Sequence, residues 1–478
     1  MKVSRRAYGR LRRARVAVSL AVAAAGAAAV IAGCSTFLSR WQIVPAILAC
    51  SVGWLALWLA VTALAGRVYC STVCPIGTLS DICARFSPRR RRGYFYRPPS
   101  SVRIAVLTFV ITAGVLGLSA AVGIFDPAAA WTRIAAYLGA PLLRGTAVAL
   151  SGVIAALVTL AVVAVLAWLR GRLLCNALCP VGTLLGMVSR YSLIHPEIDT
   201  DKCLGCNRCV ERCKASCINP ADHTVDLSRC VMCLDCVTAC PSDALTLRRG
   251  RKDLRMPLMQ PLAPGTSATT SAAGGSAVDA ASPRPINRRR FMLVATGAAM
   301  AANLRATAPV PALESQPLNP VTPPGRRSAA LFKARCTGCG ACTTVCPTQI
   351  IVPSVKELGI KNALHPVLEF DRGPCLYDCT ACTEVCPTDA LEPISVAEKH
   401  LIAIGKARLI PENCIEYTDG IPCGECVRRC PRRAITIITE GHRGRRLPLV
   451  DFDACIGCGT CRYVCPATPR AFVIEGTD

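Results

Sequence analysis

The stretch GRVYCSTVCPIGTL (Gly66–Leu79) returns as GRLLCNALCPVGTL (Gly171–Leu184), 105 residues later. Both copies read G-R-x-x-C-x3-C-P-x-G-T-L, and both follow a long apolar run. Four uncharged apolar stretches surround them: Val16–Leu38, Trp41–Ala65, Ile104–Phe125 and Thr146–Leu169. Each exceeds the roughly 20 residues that a helix needs to cross a bilayer. Arg and Lys set the orientation. The N-terminus reads MKVSRRAYGRLRRAR, and RFSPRRRRGYFYR follows the second stretch. The Ser35–Gln42 turn holds one Arg and the Asp126–Gly145 loop two. The positive-inside rule therefore puts both ends of this half and its middle segment in the cytoplasm. An even number of crossings separates the two copies, so both cysteine pairs converge on one membrane face.

The formal charge is +25, yet aromatics are only 5% and do not alternate with the basic residues. That argues for anionic lipid rather than nucleic acid as the partner of the charge. Thirty-two cysteines would suit a disulfide framework only in a short secreted chain. Most of them stand in tight runs, which suits metal ligation. No His falls inside a span, which excludes a haem held by two intramembrane histidines. Ile31-Ala32-Gly33-Cys34 has the look of a lipoprotein cleavage box, and Cys50 and Cys83 read as packing residues.

Cys203, Cys206, Cys209 and Cys213 form one run, and Cys230, Cys233, Cys236 and Cys240 the next. This is the bacterial two-cluster ferredoxin spacing, in which the fourth Cys of each run serves the other cluster. Cys203, Cys206, Cys209 and Cys240 are then one ligand set. Cys230, Cys233, Cys236 and Cys213 are the other. Lys214 replaces the usual Pro, and Cys217 competes with Cys213. Four further runs follow: Cys336, Cys339, Cys342, Cys346; Cys375, Cys379, Cys382, Cys386; Cys414, Cys423, Cys426, Cys430; and Cys455, Cys458, Cys461, Cys465. All four end in Cys-Pro, with the second and third stretched to x3 and x8 at the start. Neighbouring runs pair, or the first pairs with the fourth. Zinc sites join two distant C-x2-C pairs, which these are not. The expectation is about six [4Fe-4S] clusters that relay electrons.

Cys70 and Cys74 share the face of a helical turn that Pro75 ends, and Cys175, Cys179 and Pro180 repeat this. Three readings of these four cofactor-binding candidates stay open. They ligate a further cluster or metal, they are redox dithiols near a quinone, or they are small buried packing residues. Asp126-Pro127 reads as a helix N-cap followed by Pro at the first turn; proton acceptance from quinol is the competing role.

Residues 251–287 have the Gly/Ser/Ala/Pro composition of a flexible linker. Arg288-Arg289-Arg290-Phe291-Met292-Leu293 then opens a mild apolar run to Leu304, similar to a twin-arginine export signal or a fifth span. Cubanes are assembled in the cytoplasm, so a cluster domain that leaves must leave folded. Residues 309–330 are a Pro-rich linker.

Residues 1–250 resemble the NapH/MauN type of membrane ferredoxin, and residues 288–478 the NapG/MauM type. The resemblance implies quinol dehydrogenation, with electrons passed to an exported reductase, here in one fused chain. The fold class expected is an α-helical membrane domain of four spans plus a fifth, with α+β ferredoxin-like two-cluster modules. Its parts are the membrane domain (1–190), a cytoplasmic module (195–250), the linker (251–287), the signal or fifth span (288–308), the second linker (309–330) and an extracytoplasmic four-cluster domain (331–478). The location is the inner membrane, multi-pass. The partners are the quinone pool and an exported reductase or other redox protein. The rival reading is an Fe–S assembly, maturation or redox-regulatory factor.

Overall fold

The computed structural model describes residues 5–34, 40–87, 101–145, 149–250, 319–355, 357–440 and 445–477. Arg89–Arg92, the linker 251–287 and the twin-arginine segment 288–308 lie outside them. Two described helices are long and apolar enough to cross a bilayer, α1 (Arg5–Ala32) and α7 (Leu150–Arg170). The other two expected spans are broken. Trp41–Ala65 becomes a short turn of helix, Ile43–Leu48, and then α2 (Val52–Ala65), parted where Cys50 takes φ 54°. Ile104–Phe125 becomes α4 (Val102–Val115) and α5 (Ser119–Phe125), parted where Gly117 takes φ 72°. Fourteen residues make about 21 Å of helix, short of a roughly 30 Å hydrocarbon core. Cys50 is exposed and does not pack.

The repeated motif explains how the helices close. Gly66 and Gly171 end α2 and α7 at positive φ, 72° and 63°. The arginines that follow then cross between the copies. Arg67 donates to the carbonyl of Cys175 (3.0 Å), and Arg172 donates to the carbonyl of Cys70 (2.7 Å). The cysteine-bearing turns Tyr69–Thr72 and Leu174–Leu178 stop before Pro75 and Pro180, as expected. The two prolines open α3 (Pro75–Phe86) and α8 (Pro180–Ser189), where the missing N–H costs nothing. Gly77 and Gly182 carry no side chain for a steric reason. A Cβ would lie 2.3 Å from the Cys70 oxygen in one and 2.1 Å from the Cys175 oxygen in the other. The next residue, Thr78 or Thr183, ties each copy to a different helix, donating to Ser19 O in α1 and Arg103 O in α4, both at 3.4 Å.

The expected loop Asp126–Gly145 is helical and turns inward. Asp126 caps α6 (Pro127–Ile134), accepting from Ala128 N (3.0 Å) and Ala129 N (3.1 Å). Ala130 and Trp131 of α6 pack in the same core as Cys70, Cys74 and Cys179.

Residues 195–250 form the short sheets of a ferredoxin module. Ile194–Ile198 pairs antiparallel with Leu245–Arg249, and Ile218–Asn219 with Thr224–Val225. Lys214, where other runs have Pro, is an anchor: its Nζ pairs with Asp81 of α3 (3.5 Å) and Asp235 (3.2 Å). The C-terminal domain holds three further two-stranded antiparallel pairs: 351–353 with 366–368, 405–409 with 472–476, and 435–440 with 445–450.

Helix α1 measures the distance between the two cluster modules. Leu247 N donates to Tyr8 Oη (3.2 Å), and Thr344 Oγ1 of the C-terminal domain donates to Val30 O (3.3 Å). Twenty-two residues of helix put those contacts about 33 Å apart. The contact made by the first copy of the motif, Thr78 to Ser19, falls midway. The C-terminal domain also seats on α5 and α6. Ser119 Oγ meets His365 Nε2 at 3.1 Å, and Arg133 Nε donates to Gly338 O at 3.4 Å.

Asp81 holds the first module to the helices. Arg172, with a fully buried side chain, forks onto both its oxygens (2.9 and 2.8 Å). Burial opposes the charge of Asp81, yet Arg172, Lys214 and Arg15 hold its carboxyl well below the usual carboxylate range. The pairing therefore contributes fully at neutral pH and is lost only as pH falls below that range. Asp81→Ala leaves a buried guanidinium unpaired and should cost about 3–5 kcal/mol. A fall in unfolding temperature in detergent, with faster proteolytic release of residues 195–250, is the expected result.

Candidate metal centres

Each ligand loop bends by the same device. In five of the six runs, the residue after the second cysteine has positive φ: Asn207 (53°), Leu234 (62°), Gly340 (78°), Gly424 (62°) and Gly459 (74°). One turn of helix follows, carrying the third cysteine. The fourth caps it in extended backbone at Cys213, Cys240, Cys346, Cys430 and Cys465. Successive turns of this kind aim backbone N–H groups at an anion, which suits thiolate-bound iron. The exception is the run stretched to x3, where Thr380 has φ −116°. There buried Lys399 replaces backbone donors, with Nζ 3.5 Å from Cys375 Sγ and 2.5 Å from both Leu376 O and Cys379 O. The x8 insertion folds as the turn Ile415–Thr418, and its buried Glu416 accepts from Gly424 N at 3.1 Å.

Small cavities gather the cysteines in fours, or in one case five. One is lined by Cys203, Cys206, Cys209 and Cys240, the grouping expected from spacing. A second is lined by Cys213, Cys217, Cys230, Cys233 and Cys236. In the C-terminal domain one collects Cys336, Cys339, Cys342 and Cys386, and another Cys430, Cys455, Cys458 and Cys461. Electrostatic contact joins Cys375, Cys379 and Cys382 with Cys346, and Cys414, Cys423 and Cys426 with Cys465. Neighbouring runs therefore exchange their fourth cysteines, and the first does not pair with the fourth.

Burial pushes the thiols of Cys233 and Cys426 up to about 12 and that of Cys339 up to about 11. Thiols so placed ionise when a metal cation is present. Among the described residues, no three His, Cys, Asp or Glu side chains converge on a single ion.

The sites are ordered in space. Cys233 packs on the core that holds Cys70, Cys74 and Cys179. At the other end of α1, Tyr137 and Cys339 share a cavity, and Arg133, 3% exposed, lies in electrostatic contact with Cys339. Beyond it, Cys375 N donates to Cys458 O (2.9 Å), which brings the second and fourth runs together. Sequence reading missed Arg67, Arg172, Asp81, Arg133, Tyr137 and Lys399. Only the first two left a signal, as the repeated G-R.

Cys213 and Cys217 remain at one corner, their sulfurs 3.5 Å apart. Hydrogen bonding from Cys217 lowers Cys213, and Cys217 itself is raised. Cys213 also occupies the capping position that the other fourth cysteines hold. Cys217→Ser should thus keep both clusters of this module, while Cys213→Ser loses one. Iron and acid-labile sulfide in the purified variants are the measurement.

Comparison with known families agrees. A 4Fe-4S binding domain matches residues 48–93 and 153–197, a second 4Fe-4S binding domain matches 223–246, and a 4Fe-4S dicluster domain matches 335–390 and 421–468. The chain carries several [4Fe-4S] clusters. No solved structure matches it. The methylamine utilization ferredoxin-type protein MauM of Methylorubrum extorquens is 34% identical over 194 residues, 39% of this chain and 87% of that protein. The ferredoxin-type protein NapG of Escherichia coli is 32% identical over 156 residues (30% and 64%). The ferredoxin-type protein NapF of Haemophilus influenzae is 36% identical over 146 residues (30% and 74%). With six cysteine runs at cluster spacing and these matches in hand, the chain belongs to the iron–sulfur ferredoxin-type proteins represented by MauM and NapF.

Proposed function

We propose that this protein is a membrane-bound electron conduit. It takes electrons from quinol and passes them to an exported redox protein through residues 331–478. The observation that carries this reading is the division of cysteine sites into two sets, docked about 33 Å apart along α1, one at its arginine-rich start and the other at the end of its apolar part. The outer surface of the helical half supports it. Leu57, Ile104, Phe109, Ile111, Val115, Leu150, Ile154, Val158 and Val162 are all exposed, which water disfavours and lipid accepts. In this reading the broken stretches 41–65 and 104–125 are also spans.

When bound, the clusters supply single-electron transfer. The chain's own part is to seat them, keep water away and order them. Buried hydrophobic side chains such as Val210, Ile218 and Leu245 wall one end, and Phe332, Ile350 and Leu391 the other. Arg133 and Lys399 place positive charge beside cysteine sulfur, which favours the reduced form. In this reading Asp126, rather than the permanently charged Arg133, accepts the proton that quinol releases.

Two measurements test this. Adding quinol to sealed membranes should bleach the broad Fe–S absorption of the protein; an assembly factor need not respond. A compartment-specific reporter at the C-terminus of the full chain should report the outside, and Arg288–Arg290 changed to Lys should hold it inside. A reporter that stays inside in the unaltered chain would remove the export reading and leave the electron chemistry in place.

A further inference from the structure

We propose that Cys70, Cys74, Cys175 and Cys179 together ligate one more iron–sulfur cluster, with Arg67 as its buried charge partner, linking the two sets of sites through the helical half. This rests on the electron-transfer reading and supplies the connection it needs.

The crossed arginines bring the two motifs together. Each guanidinium reaches from its own copy to the carbonyl of the other copy's first cysteine. All four thiols are buried. Cys74 lies in electrostatic contact with Cys70, Cys175 and Cys179. Four buried thiols, two from each copy of the repeat, converge on Cys74 and form a ligand set that neither copy could build.

Charge separates ligation from packing. Arg67 is 1% exposed. Its donors meet Asn176 Oδ1 (2.9 Å), Ser228 O (3.2 Å) and Cys175 O (3.0 Å), with Cys70 Sγ 3.8 Å away. Every oxygen in that set is neutral, and Nε has no partner. Its counterpart Arg172 has Asp81 as a carboxylate partner; among the described residues Arg67 has none. A guanidinium held out of water without an anion is costly. Thiolate sulfur is the anion at hand, and thiols this buried become thiolates on a metal.

Position gives the group its use. Arg15 donates to Ser71 O (2.9 Å) and Thr78 to Ser19 O, so the quartet sits level with the middle of α1. On one side, Val231 and Cys233 share its core. On the other, Tyr69, Ala130 and Trp131 lead toward Arg133, Tyr137 and Cys339. One electron passes at a time: the site of Cys233 is oxidised by one as that of Cys339 is reduced by one. No bond to the protein is made or broken.

The test is metal content of the full-length protein, purified anaerobically. Seven cubanes give about 28 irons per chain and six give about 24. Cys74→Ser and Cys179→Ser should each lose about four irons and four acid-labile sulfides, while Cys83→Ser loses none. Arg67→Gln should lose the same iron and Arg67→Lys should retain it. About 24 irons in the unaltered protein, or unchanged iron in both Cys variants, overturns the site. A disulfide found between these cysteines in the iron-loaded protein overturns it as well. If the seventh cluster is present but quinol reduces nothing, this site stands and the donor assignment falls.

Discussion

The structure depends on two arginines that cross. Arg67 and Arg172 each leave one copy of the repeat and bond the backbone of the other. Neither could reach if Gly77 or Gly182 carried a side chain, because a Cβ there would run into the cysteine carbonyl of its own copy, which accepts the other copy's arginine. Arginine, glycine and cysteine thus form one constraint. Once it is met, α3 and α8 lie where their first residues fall, and Thr78 and Thr183 find α1 and α4. The ferredoxin module then needs only a surface complementary to the crossing. Ser228 supplies part of it, accepting from Arg67 through its carbonyl and from Arg103 through its hydroxyl.

Docking follows from what each module gave up. The first run of 195–250 lacks the proline that its counterparts have, and Lys214 stands there instead. Proline would have provided no charge. Lysine reaches Asp81 and Asp235 together, joining a helix of the repeat to a helix of the module. The C-terminal domain adds close approach to an ion pair between Arg40 and Asp389. Gly123 admits the Thr337 carbonyl, and Gly340 admits the Tyr137 ring. Both contacts fall on the loop that also presents Cys339, so that domain is held by the rim of its first cysteine site.

The cysteine chemistry was the most legible part of the sequence. Ligand spacing is local, and a run such as Cys203-x2-Cys206-x2-Cys209 has few ways to fold. The exchange of fourth cysteines within 195–250 followed from it. In the C-terminal domain the pairing was not legible, because the x3 and x8 insertions hide the register until Lys399 and Glu416 are seen to absorb them. The helical half was read less well. Hydropathy marks Trp41–Ala65 and Ile104–Phe125 as continuous but cannot register the backbone reversals at Cys50 and Gly117. It also missed α6 folding inward, since a segment rich in alanine with two arginines scores as a loop. Arg133 makes that entry possible by spending its donors on Gly338, Thr159 and Gly123.

Buried cations recur beside sulfur throughout the chain. Lys399 contacts Cys375, Arg67 contacts Cys70, and Arg133 faces Cys339. In each case the cation's hydrogen bonds go to neutral groups rather than to carboxylates. Taking such a charge out of water is unfavourable unless negative charge lies near. In an iron-free chain, burial would favour the protonated thiols of Cys339 and Cys375, and Lys399 would lose the negative charge beside it. Metal binding and folding are accordingly coupled here by electrostatics as well as by ligand geometry.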